Sequence, residues 1–492
     1  MKKPNVLLIL SDQHRQDCLS VYGNPDVISP NLEAIAKDGV VFDGHFCPYP
    51  ICTPSRYSLL TGKYPSFHLG ANNDATLPNG IETFPKVLRR EGYKTAAVGK
   101  MHFAPTYLDV GFDKMLLSEQ CGPGRFCDDY HRYLKNLGLL DVIDLYDQRG
   151  EYRQNAPAEY WENFGALCSD LPLEHHSTTY ITNQALAQVD QFNPDGGNLL
   201  MLGYIKPHHP FDPPEPYAGM YDPDTLSLLD GYTPTVAEVD KRVRGFFDFS
   251  TLTEKDLRRV MAHYYGSITQ IDDGVGQILQ RLKDRGMYDD SLIIFTSDHG
   301  DYMGYRHLIT KCNHMYDPIM RIPLIIKYPA SWNKTGVDRG LSTNIDIAKT
   351  ILTVCGVEHA PTMRGLDLTR GAEREIVVGE YSMRGLNEYM IRSKTHKLLL
   401  YADGAPRLFD LAADPQETND VAGDPAYADV LRDLKDKLIE EFILKRQNTR
   451  HQDVHAPVVN GKTHDEMTRA RLDMADYMAT TSAVKPARVL YG

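Results

Sequence analysis

Apolar positions along the chain fall into two kinds of block. Short, unbroken apolar runs read as strands buried on both faces, the pattern of a parallel sheet. Asn5 to Leu10, Tyr93 to Val98, Leu199 to Ile205, Leu292 to Thr296 and Pro323 to Tyr328 are of this kind, with Val40 to Phe42 a shorter one. Between them lie segments with helical stop and start signals. Ser29-Pro30 opens a helix to about Lys37, closed by Gly39, and Glu82 to Glu91 stops at Gly92. Thr178 to Phe192, Thr253 to about Arg285 and Ile345 to Val354 are three more. Strands and helices alternate to about residue 365, which predicts an α/β fold with a doubly wound, mostly parallel sheet flanked by helices. From about Arg374 the apolar runs shorten and crowd together, at Ile376 to Tyr381, Tyr389 to Ser393, Lys397 to Tyr401 and Arg407 to Leu411. These predict a smaller antiparallel sheet, followed by a helix from about Tyr427 to Arg446. The expected organisation is a main α/β domain over 1–370, an α+β subdomain over 371–447, and a polar arm or tail over 448–492. The arm is a candidate contact for a homo-oligomer, and a frayed tail fits it equally well.

Residues from about Leu108 to Leu173 are less regular and are expected to line a substrate pocket, together with the loop after His208. Composition adds limits rather than a function. The chain of 492 residues is 42% hydrophobic and 24% charged, ordinary for a soluble protein. Its net charge of -13 argues against a nucleic-acid scaffold but leaves room for a locally positive anion site. The 8 cysteines show no paired spacing; Cys121 and Cys127 are the nearest candidates for a bridge, and reduced thiols fit as well. Lys2-Lys3 followed by Val6 to Leu10 mimics a signal peptide, but the run is short and cleavage beyond it would remove Asp12. The stretch therefore reads as a first strand and the chain as cytoplasmic, or periplasmic had a leader been removed. No run is apolar enough to span a membrane.

Two carboxylates draw attention because each follows a buried strand. Asp12-Gln13 ends the first run, and Ser297-Asp298-His299-Gly300-Asp301 ends the run beginning at Leu292. In open α/β sheets, ligands gather outside the carboxyl ends of the strands, so such residues can converge. Asp12, Gln13, Asp298 and His299 would offer three oxygens and one nitrogen, a set suited to a hard dication: Ca²⁺, Mn²⁺ or Mg²⁺. A further stretch, Ile51-Cys52-Thr53-Pro54-Ser55-Arg56, reads as the start of a helix continuing through Leu59 and Leu60. A helix N-terminus welcomes an oxyanion, and a thiolate at Cys52 beside Arg56 would be stabilised there.

Cys52-x-Pro54-Ser55-Arg56 followed by Leu60-Thr61-Gly62 resembles, without a gap, the modification site of the type I sulfatases of the alkaline phosphatase superfamily. The resemblance implies that Cys52 is oxidised to formylglycine by a formylglycine-generating enzyme, and that the hydrated aldehyde is the nucleophile. It implies that Arg56 steadies the nucleophile, and that Asp12, Gln13, Asp298, His299 and modified Cys52 hold one divalent metal, Ca²⁺ foremost. Gly99-Lys100-Met101-His102 matches the sulfatase element whose Lys binds nucleophile and substrate oxygens and whose His positions the nucleophile. Lys206-Pro207-His208 resembles the element whose His donates toward the leaving oxygen, although His209 blurs which ring points inward. Lys311 resembles the second sulfate-binding lysine, and Leu408 to Glu417 also fits the family. The implied reaction is hydrolysis of a small-molecule or carbohydrate sulfate ester to an alcohol and sulfate. Gln13 departs from the commoner second Asp and removes one negative charge. Gln there, with His at position 299, also occurs in the sister phosphonate monoester hydrolases, which lack the Lys100/His102 pair, so a phosphodiester or phosphonate substrate is the rival expectation.

Overall fold

A computed structural model describes residues 3–444 except 121–127, 148–150, 243–244, 312, 384 and 403. The Cys121–Cys127 pair and the arm expected from 448 lie outside the described residues. The main sheet is built from β1 (Asn5–Asp12), β2 (Val40–Phe46), β3 (Lys94–Gly99), β4 (Lys114–Leu117), β5 (Asn198–Pro207), β6 (Ser291–Ser297), β7 (Leu324–Lys327) and β8 (Gly336–Thr343). Their order is β4-β3-β5-β1-β6-β7-β2-β8. Every neighbouring pair is parallel except those made by β7, which runs antiparallel to both β6 and β2.

β1 is the centre of this arrangement, and its eight residues are all buried. Leu8 lies between Met201 of β5 and Ile294 of β6. The pleat sends Val6, Leu8 and Leu10 to one core, and Leu7 and Ile9 to the other. On the Leu7 side packs the helix Glu254–Asp284, through residues such as Ile268, Ile271 and Val275. Its start is fixed by a capping box between Thr253 and Asp256, as the Thr253 start signal predicts. On the opposite side packs Ile345–Val354, through Ile347 and Ile351. The sheet is therefore covered on both faces, and the expected α/β architecture is the observed one.

A second sheet, β12-β11-β10-β9, is antiparallel throughout: β9 (Val377–Met383), β10 (Leu386–Arg392), β11 (His396–Tyr401) and β12 (Arg407–Asp410). Helix Ala428–Ile439 lays Leu434 and Leu438 against Val378, Ile391, Leu398 and Leu408 of this sheet. That helix gives way at Glu440 to a wider turn through Leu444, and the Arg446 expected as its end lies outside the described residues. The irregular region contributes edge strand β4 and short helices Asp129–Asn136, Val142–Asp147 and Ala158–Glu162. Among the described residues no helix is long and apolar enough to cross a membrane.

Candidate active site

The carboxyl ends of β1, β3, β5 and β6 converge with the N-terminus of one helix. β1 ends at Asp12, and the next residue, Gln13, turns the chain with φ 61. β3 ends at Gly99, whose φ of 88 and approach to Gly203 leave no room for a side chain: a Cβ would lie 2.1 Å from the Gly203 oxygen. This close crossing delivers Lys100 and His102 into the site. Helix Cys52–Thr61 begins at Cys52 itself, slightly earlier than its Pro54 suggests, with every residue buried and Gly62 closing it in the left-handed region.

Arg56 forms the floor. Its Nε donates to Asp298 Oδ2 at 2.8 Å and its Nη2 to Asp12 Oδ2 at 3.0 Å, and Nη1 donates to the Lys100 carbonyl. Lys100 Nζ lies 2.8 Å from the same Asp12 Oδ2. All these side chains are fully buried. Both Oδ2 atoms are thereby committed to cations of the protein, and both Oδ1 atoms are left facing inward. Asp12 Oδ1 lies 3.6 Å from Cys52 Sγ and 3.7 Å from His299 Nε2, and Asp298 Oδ1 lies 3.8 Å from His299 Nε2. Burial works against the Asp12 carboxylate, yet Lys100, His208, Lys311 and Arg56 hold it well below the usual range.

His299 donates Nδ1–H to the Gly300 carbonyl at 3.0 Å, since a carbonyl only accepts. Its Nε2 lone pair therefore faces the two carboxylates. Burial, with Lys311 nearby, lowers its pKa to about 4, so the ring is neutral at pH 7. Cys52 Sγ is 3.2 Å from that Nε2 and receives a hydrogen bond from Lys311 Nζ at 2.9 Å. Contrary to the stabilised thiolate expected at a helix N-terminus, burial and Asp12 push the Cys52 thiol up to about 12. As a cysteine, residue 52 is therefore protonated in the cation-free site. Among the described residues no hydrogen bond of Arg56 reaches Cys52; Lys311 is the cation that contacts the sulfur.

The ligand atoms of Asp12, Cys52, Asp298 and His299 all lie within 4.8 Å of one another. Gln13 completes the set differently. Its backbone N–H donates to Asp298 Oδ1 at 3.1 Å, and its Nε2 donates to Asp301 Oδ2 at 2.6 Å. That fixes the amide so that Oε1 is a buried acceptor with no hydrogen-bond partner among the described residues. An orphaned amide oxygen beside two carboxylates and an imidazole lone pair fits a hard dication.

The two neighbouring histidines separate in role. Their rings stack with centroids 4.1 Å apart. His209 Nε2 lies 3.0 Å from Asp147 Oδ1, and its Nδ1 lies 3.4 Å from Gln13 Nε2. His208 donates Nδ1–H to the His209 carbonyl, and no hydrogen bond to a described residue occupies its Nε2. His208 is thus the ring with a committed tautomer and an available edge. Lys206 faces away from the reaction, bonding Asp212 and, at 2.9 Å, the Pro210 carbonyl, and so closes the loop that carries both rings. His102 is buried with φ 57, and its backbone N–H donates to both Glu119 carboxylate oxygens at 3.0 and 3.2 Å. Burial and the neighbouring Lys100 and Arg56 cations push its imidazole well below the ordinary range.

The structure thus gathers all ten residues singled out from the sequence around one end of the sheet. It adds Asp301, Glu119, Gln120, Asp147 and His209. Two of these had a signal: Asp301 as the last residue of Ser-Asp-His-Gly-Asp, and His209 as the neighbour that could not be told from His208.

The sulfatase family model matches residues 4–357, nearly three-quarters of the chain. The chain belongs to the sulfatase family. This sulfatase is accordingly a sulfuric ester hydrolase, on the alkaline-phosphatase-like fold described above. A second model, described as the C-terminal part of N-sulphoglucosamine sulphohydrolase, matches residues 307–443. An arylsulfatase of Clostridium perfringens is 29% identical over 89% of this chain and 94% of its own length. The multifunctional alkaline phosphatase superfamily protein PehA of Trinickia caryophylli is also 29% identical, over 89% of this chain and 95% of its own. Among solved structures, the phosphonate monoester hydrolase of Silicibacter pomeroyi superimposes with a TM-score of 0.76 at 26% identity, covering 94% of this sulfatase and 100% of that chain.

Proposed function

We propose that this sulfatase hydrolyses a sulfate monoester to an alcohol and inorganic sulfate, with residue 52 working as formylglycine and one divalent cation bound beside it. The observation that carries the reading is the position of residue 52. It starts a helix, sits against the inward oxygen of Asp12 and the Nε2 of His299, and receives Lys311, which also lies 3.1 Å from that Nε2. Asp12, Gln13, Asp298, His299 and residue 52 would hold the cation; Ca²⁺ suits the oxygen-rich set best, with Mn²⁺ or Mg²⁺ as alternatives. Such a cation supplies Lewis-acid charge stabilisation of an ester oxygen, and the hydrated aldehyde supplies a hydroxyl nucleophile where the thiol would stay protonated.

The chain's own groups account for the rest. Arg56 neutralises the outer oxygens of Asp12 and Asp298, so that one dication more brings the floor to a net positive charge that favours an anionic ester. Lys100 and Lys311 approach from two sides and bind non-bridging oxygens of the ester. Both are fixed before substrate arrives, so little reorganisation is needed as charge develops. His208 presents Nε2 toward the leaving oxygen. Burial, Lys311 and Lys100 hold the free ring neutral with its proton on Nδ1, so it delivers a proton there after Nε2 has taken one up from solvent as the anionic ester binds. His102, kept neutral by burial, accepts a proton from the second hydroxyl of residue 52. Oxidation of Cys52 implies a formylglycine-generating enzyme as maturation partner.

A phosphonate monoester or phosphodiester is the second reading. It is favoured by Gln13 in place of a second acidic ligand and by the likeness to PehA and to the phosphonate monoester hydrolase. Lys100 and His102 favour the sulfate. The test is mass spectrometry of the peptide containing residue 52, followed by kcat/KM of the modified enzyme on an aryl sulfate and an aryl phosphodiester. A higher value on the sulfate is expected. Full activity with only unmodified thiol would overturn the nucleophile, and a preference for phosphorus would overturn the substrate.

A further inference from the structure

The tail of edge strand β4 reaches the site without any motif to announce it. Ser118, Glu119 and Gln120 follow Leu117 inward and are all buried. Glu119 accepts the backbone N–H of Met101 and of His102, each at 3.0 Å. Gln120 lies between two arms of the catalytic group. Its Oε1 accepts from Lys100 Nζ at 3.3 Å, and its Nε2 donates to the His209 carbonyl at 2.6 Å. The flipped amide would set an NH₂ against the ammonium and an oxygen against the carbonyl, so the orientation is determined by its partners. The same His209 carbonyl accepts Nδ1–H of His208. One continuous run of contacts therefore joins Asp12, Lys100, Gln120, the His209 carbonyl and His208.

We propose that Gln120 is a positioning residue for the hydrolysis: it holds the His209 carbonyl, and through it the His208 ring, at a fixed distance from Lys100. The proposal rests on the reading that His208 donates toward the leaving oxygen. Without the amide, the His209 carbonyl loses its link toward Lys100 and keeps the bond from His208, while Asp147 and Gln13 still hold the His209 ring. His208 then follows the loop, whereas Lys100 keeps Asp12. The consequence is specific. Poor leaving groups need the proton, and activated ones leave without it. A displacement of about 1 Å can cost about 100-fold in rate.

The experiment compares phenyl sulfate with para-nitrophenyl sulfate on Gln120→Ala and on the parent, both with formylglycine at residue 52. Both esters are measured on the same preparation, so their ratio is independent of the fraction correctly folded. The expected result is that kcat/KM for phenyl sulfate falls about 10- to 100-fold, while para-nitrophenyl sulfate stays within about threefold. Gln120→Glu keeps an oxygen toward Lys100 but sets another against the His209 carbonyl, and the ratio is expected to widen there too. A ratio unchanged from the parent in both variants overturns the proposal, whatever the absolute rates. A parent that hydrolyses only phosphodiesters overturns the sulfate reading instead; the same leaving-group ratio, read on phenyl and para-nitrophenyl phosphodiesters, then decides on Gln120.

Discussion

Arg56 is the residue whose removal most directly tests the electrostatic account of the floor. In Arg56→Ala a fully buried guanidinium is lost from between two fully buried carboxylates. Breaking a buried pair by deleting one partner leaves an uncompensated charge, typically at about 3–5 kcal/mol. Two carboxylates lose a partner here, but the loss does not double. Asp12 Oδ2 keeps Lys100 at 2.8 Å, and Asp298 Oδ1 keeps two backbone N–H donors at 3.0 and 3.1 Å. The stranded atom is Asp298 Oδ2, so about 3–5 kcal/mol is the expected destabilisation in metal-free buffer. Arg56→Lys retains the charge but cannot span both carboxylates and the Lys100 carbonyl, so about 1.5–3 kcal/mol is expected. The assay is thermal unfolding of all three proteins after chelation, then with added Ca²⁺. For a chain of this size the alanine variant should melt roughly 5 °C or more below the parent. Added Ca²⁺ should raise its Tm by more than the parent's, because the variant's site holds one positive charge fewer. An alanine variant melting within about 1 °C of the parent without metal would refute the reasoning, since a neutralising guanidinium could not then be what holds the two carboxylates together.

Three further outcomes follow from the same structure. Chelation should abolish ester hydrolysis and added Ca²⁺, Mn²⁺ or Mg²⁺ restore it, and Gln13→Ala should weaken the restoring metal about 10- to 100-fold in a titration of activity. His45 is buried between Ser342 Oγ at 2.9 Å and Asn344 Oδ1 at 3.0 Å, and burial lowers its pKa from 6.5 to about 4. The unfolded chain therefore binds a proton there that the native state refuses: the contribution of His45 is fully present above pH 6.5 and lost as pH falls through about 4, up to about 3 kcal/mol. Urea melts at pH 7.5 and pH 5 should show this loss, smaller in His45→Gln. Lys206→Met strands Asp212, which is 0% exposed, and should cost about 3–5 kcal/mol in the same urea melts, whereas Lys206→Met combined with Asp212→Leu should recover most of it.

What the sequence disclosed follows burial and motif, and its silences follow their absence. β1, β3, β5, β6 and β7 are sandwiched between helices, so their apolar runs are unbroken and readable. β8 was not anticipated because its first half, Gly336 to Arg339, is exposed or nearly so and carries Asp338 and Arg339. β4 has only four residues, Lys114–Leu117, at the opposite edge, too few for a period to show. Nine of the ten residues that converge on the site were readable because each lies just past a strand, at a helix start, or in a short recurring string; Lys311 was readable by family resemblance alone. Their supports were not. Gln120, Glu119 and Asp147 act on backbone groups and on rings far away in sequence, and a buried Gln after an edge strand has no spacing that distinguishes it from any other. His209 could not be told from His208, because the choice depends on which ring the Asp147 carboxylate holds. The same logic says where sulfatases with identical motifs can still differ in rate: in the tails of edge strands, where a single amide sets how far a binding lysine sits from a proton donor. Because Lys100 keeps Asp12 in any such variant, substrate binding and proton delivery are mechanically separable here, and KM and leaving-group dependence should vary independently across substitutions at position 120.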